Sequence, residues 1–154
     1  MWIGFLVALI VAATIHSRFS RTSKAELYLV YLLAGYCGIA QVAFGLAMLF
    51  APAEWQLAHM PRVQPYNPSM AWVAFLWLGM GAIGTMTIWL RGVFMVAPLV
   101  AWMIFWTGAT VAHSVYDGQL TPHSFIHIFA GHGLVAVLLA SFAASLWRAS
   151  RTQA

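Results

Sequence analysis

Residues 27–50 read LYLVYLLAGYCGIAQVAFGLAMLF, without a single charged side chain. As a helix rising about 1.5 Å per residue this run covers roughly 36 Å, more than the ~30 Å hydrocarbon core of a bilayer. The residues before it start a helix. Ser23 and Glu26 stand three apart, the spacing of a capping box that satisfies free amide donors. The stretch that follows, 52–69, reads PAEWQLAHMPRVQPYNPS; its prolines and polar groups predict a water-facing loop.

The same pattern recurs on both sides. Asn67-Pro68 and Thr121-Pro122 are cap-plus-proline helix starts, while Arg91-Gly92 and Asp117-Gly118 are turn signals. Pro98 reshapes the first turns of the run it opens. These marks predict an all-α integral membrane protein with five transmembrane helices in one membrane-embedded bundle, residues 1–154. The expected spans are about 2–19, the shortest, then 27–50, 68–90, 93–115 and 122–147. The first run is read as a retained helix, because its charges follow the apolar stretch instead of preceding it.

Composition supports a lipid environment. Hydrophobic residues make up 63% of the 154 and charged residues only 6%, against about 25% charged in soluble domains. The net charge of +4 does not imply a nucleic-acid partner, since basic residues sit at the ends of apolar runs. Alternating the connections between two sides puts Arg18, Arg21, Lys24, Arg91, Arg148 and Arg151 together and leaves Arg62 alone. Positive residues favour the cytoplasmic side, so the N-terminus is expected outside and the C-terminus in the cytoplasm of a bacterial inner membrane. Trp2, Trp55 and Trp72 fall at the outer interface and Trp89 and Trp147 at the inner. Gly35, Gly38, Gly79, Gly81 and Gly84 predict close helix packing. The single cysteine, Cys37, excludes a disulfide within the chain.

The segments 25–55, AELYLVYLLAGYCGIAQVAFGLAMLFAPAEW, and 65–94, PYNPSMAWVAFLWLGMGAIGTMTIWLRGVF, resemble a group of small uncharacterised multi-helix bacterial membrane proteins. That resemblance lies in apolar pattern more than in motif. It implies the architecture and no reaction.

Titratable groups gather at 113–127, HSVYDGQLTPHSFIH. His113 and Asp117 are four apart, as are His123 and His127, and each pair shares a helix face. Such a set suits zinc, copper or iron, with His59 as a further ligand and Met60 favouring copper. The plainer reading makes these interfacial histidines and Asp117-Gly118 an ordinary turn. His132, between Gly131 and Gly133, falls near mid-bilayer, where an ionisable group is a functional candidate. Gln41, Thr107 or Cys37 are its expected partners, or it holds a cofactor such as quinone; haem requires a second facing histidine. His16 reads as an interface residue and Glu26 as a cap. Three functions compete: an outward-facing metal site, binding or catalytic, that takes a small apolar or lipid-like ligand; an accessory or anchor subunit among other membrane subunits or copies of itself; and a haem- or quinone-linked electron carrier.

Overall fold

The computed structural model describes residues 2–59, 68–116 and 126–151. Among these residues the chain forms six helices. Helix α1 is Trp2–Ser17 and α2 is Lys24–Phe50. Helix α3 is Ala53–His59 and α4 is Pro68–Met86. Helix α5, Val96–Tyr116, follows a 3-10 turn at Gly92–Met95. Helix α6 joins a π-helical stretch, Ile126–Gly133, to an α-helical one, Leu134–Arg151.

Ser23 caps α2 as its spacing predicts: its hydroxyl accepts the Glu26 N–H at 3.2 Å. The middle of α2, Tyr31–Ile39, is π-helical. A π turn leaves carbonyls off the regular ladder, and Gln41 answers one of them, its buried Nε2 donating to Tyr36 O at 2.8 Å. The far end of α2 is closed by α3. Gln56 Nε2 donates to Ala51 O at 2.9 Å and to Met48 O at 3.3 Å. Helix α3 thus occupies part of the stretch expected to be loop. Pro52 is its reason: a proline just before a helix costs no intrahelical hydrogen bond.

Two helices, Lys24–Phe50 and Gly92–Ala112, are long and apolar enough to cross a membrane. Three others, Ile3–Ser17, Met70–Met86 and Leu134–Arg148, are apolar but only 10–17 residues long. These stretches cover at most about 26 Å, less than the ~30 Å core, although α4 and α6 continue beyond them. The expectation of five transmembrane helices is therefore corrected to two among the described residues. In α1 and α4 the apolar runs outlast their helices. After Ser17 the chain turns, with Arg18 N–H on Ile15 O at 3.1 Å and Phe19 N–H on His16 O at 3.0 Å. After Met86 it turns again: Thr87 N–H donates to Gly84 O at 3.2 Å and Ile88 N–H to Thr85 O at 3.1 Å. The expected orientation, N-terminus outside and C-terminus cytoplasmic, alternated sides over five crossings and falls with that number.

Helix α2 is the centre of the packing. Against α4 the two backbones meet through glycines. A methyl group on Gly84 would lie 2.7 Å from Leu33 O, and one on Gly38 would lie 2.6 Å from Thr85 N. Gly81 would meet Val42 N at 2.9 Å, whereas Gly79 faces open space. On the other side α2 joins α1, α5 and α6 around a core that includes Leu6, Leu33, Tyr36, Cys37, Trp102, Trp106, Val135 and Leu139. Its aromatic rings are continuous. Trp102 and Trp106 stack at 5.7 Å, and Trp77 meets Phe105 edge-on at 4.9 Å.

Candidate functional site

The histidine cluster at 113–127 is not assembled by the described residues. His113 lies in α5, His127 in the π stretch of α6 and His59 at the end of α3, but their side chains fall outside the description. Asp117 and His123 lie outside the described residues altogether. Each expected i, i+4 pair therefore lacks one member. Among the described residues no group of three His, Cys, Asp or Glu side chains stands ready to hold a metal.

His132 has a described place. Its ring lies over Trp106, with centroids 4.9 Å apart and planes at 35°. Trp106 in turn contacts Tyr36 at 5.7 Å and sits beside the buried thiol of Cys37. The two π-helical stretches thus bring Tyr36 and His132 against one indole. Of the partners expected for His132, Gln41 is committed to Tyr36 O and Thr107 is exposed. The half-buried ring packs on the aromatic core through Trp106.

A different set of polar groups surrounds an open cavity. Thr14 shares a 2.6 Å hydrogen bond with the Tyr28 hydroxyl, which pins the end of α1 to the start of α2. Close by, His16 Nδ1 lies 3.2 Å from the Tyr31 hydroxyl, the two rings meeting edge-on at 5.9 Å. From the turn after α4, Arg91 reaches the same place. Its Nη1 stands 3.7 Å from Glu26 Oε1, and its Nε donates to Ile88 O at 3.3 Å. Gly92, at φ 67°, allows the reversal that brings Arg91 here, a backbone conformation that disfavours side chains.

Between these groups lies a groove of about 300 Å³. Its walls are Leu9, Leu27, Val30, Ala34, Gly35, Ile39 and Ile88, and its polar rim is His16, Tyr31 and Arg91. Gly35 and Ala34 open the space by carrying almost no side chain. A second furrow of about 340 Å³, lined by Val42, Ala82, Thr85 and Met86, shares Ile39 with the first. From Tyr31 to Val42 the two extend about 16 Å along α2. The arrangement suits an elongated molecule with an apolar body and a polar end.

The rim also stands in a positive field. Arg18 and Arg21 occupy the link between α1 and α2 and Lys24 opens α2, at the end where Arg91 meets Glu26. Helix α6 brings Arg148 to this end, because Tyr28 stacks on Phe142 at 5.2 Å. Among the described residues at this end, Glu26 is the acidic one. Reading the sequence left out His16, Tyr31 and Glu26 as a group, since they meet Arg91 only through the fold. No spacing links position 91 to positions 16, 26 and 31. Compared with known protein families, curated proteins and solved structures, the chain has no match.

Proposed function

We propose that this chain is a membrane-embedded binding protein for a lipid-like amphiphile, held with its apolar body along α2 and its polar end at His16, Tyr31 and Arg91. One observation carries the reading: the apolar groove opens at a hydrogen-bonding rim at one end of a helix long enough to cross a bilayer. Pockets that bind small molecules combine mostly apolar walls with a few placed polar groups. Large exposed side chains support a lipid surrounding, among them Trp72, Trp89, Val93, Ile104 and Trp147. The reading needs no reaction and no metal, and the 113–127 histidines have no part in it.

Ile39 is the residue to change. It is 53% exposed and lines both furrows, so Ile39→Trp obstructs them where they meet without opening the core. Wild-type protein in neutral-lipid nanodiscs is expected to bind dodecanol saturably, and the variant to lose that binding while keeping its thermal transition. Equal saturable binding by the two would place any amphiphile elsewhere and sink the proposal.

A further inference from the structure

We infer that the rim selects an anionic head group, a phosphate or carboxylate on an apolar chain, and that Glu26 is the internal anion such a head displaces from Arg91. This rests on the binding groove proposed above and adds the charge of its ligand.

The geometry of the ion pair is the first ground. At 3.7 Å the Arg91–Glu26 approach is an ion pair beyond hydrogen-bond length. A guanidinium presents five donors in a planar fork that matches carboxylate and phosphate oxygens. Here Nε is committed to Ile88 O, and that bond orients the fork toward the groove. Glu26 approaches it through one oxygen. A ligand anion that reaches hydrogen-bond distance makes shorter, charge-assisted contacts than Glu26 does.

Surrounding charge is the second ground. Arg18, Arg21, Lys24 and Arg148 share this end of the helices with Arg91, and among the described residues Glu26 is the acidic group that opposes them. A rim of one sign beside low-dielectric walls concentrates counter-ions of the other. His16 and Tyr31 add hydrogen-bonding capacity next to the guanidinium, with one ring nitrogen of His16 outside their mutual bond. Glu26 has a separate structural task, which its backbone N–H performs by donating to Ser23 Oγ. Glu26→Gln therefore removes the competing charge and leaves the cap in place.

The test compares dodecyl phosphate, dodecanol and inorganic phosphate on the full chain in neutral-lipid nanodiscs, by calorimetric titration. Affinities are expressed against the concentration in the bilayer, with Ile39→Trp as the partition control. Wild type is expected to prefer dodecyl phosphate over dodecanol by about tenfold, the scale of one charge-assisted hydrogen-bonded contact. Arg91→Gln should bring that ratio to about one, and Arg91→Lys should keep part of it. Glu26→Gln should raise the ratio several-fold. Equal wild-type affinity for the two amphiphiles overturns the inference and leaves the groove standing. A ratio that survives Arg91→Gln overturns it too, as does inorganic phosphate binding as tightly as dodecyl phosphate. Binding of neither amphiphile removes the groove reading itself, and this inference with it.

Discussion

Gly84 and Gly79 lie in the same helix and have opposite surroundings. A methyl group at Gly84 would press on two backbone oxygens of α2, Leu33 O at 2.7 Å and Cys37 O at 3.0 Å. Backbone cannot step aside as a flexible side chain can, so α2 and α4 must separate. Gly84→Ala is expected to lower stability by about 1–3 kcal/mol, the usual cost of overpacking. Gly79→Ala meets nothing within 4 Å and should be neutral or stabilising by up to ~1 kcal/mol, since alanine favours a helix. Thermal unfolding in one detergent compares the pair, and equal midpoints would contradict the packing described. Glycine content was legible as a sign of close helices. Which glycines bear the contact was not, because that depends on the rotation of α4 about its axis. The same limit explains His132. Its neighbour Trp106 comes from another helix.

At the scale of elements, the π-helical stretch of α2 depends on one amide. Gln41 is 1% exposed and its Nε2 supplies the donor for Tyr36 O. Gln41→Leu removes that donor and leaves a buried carbonyl unmet, at a cost of about 1–3 kcal/mol. Amide hydrogen exchange over residues 31–39 should quicken in the variant; unchanged protection would show that the stretch is held by other means. Gln56 plays the matching part at the end of α2. Gln56→Ala should fray residues 47–51, which exchange detects in the same way. Neither role was visible beforehand. The Ser23–Glu26 start of α2 was, because a cap is a local pattern four residues long. A π turn has no such signature, and α3 hid in a proline-rich stretch that reads as loop. Element ends were misjudged for a related reason: hydropathy does not distinguish the last turn of a helix from the apolar residues after it, as at 87–90.

For the molecule as a whole, the apolar character was plain from composition, while the number of membrane-crossing helices was overstated from run lengths. Two described helices have the length and composition to cross. The groove was not legible at all. Its rim joins positions 16, 31 and 91 through contacts between α1, α2 and the turn after α4. The histidine spacing at 113–127 attracted notice because it is local in sequence, and its side chains lie outside the described residues. The central claim is that the groove along α2 holds an amphiphile. Native mass spectrometry of the protein, released from a volatile-compatible detergent, tests it most directly. One amphiphile retained per wild-type chain, and none on Ile39→Trp, is the predicted result. A bare wild-type chain, or a ligand retained equally by the variant, would contradict it.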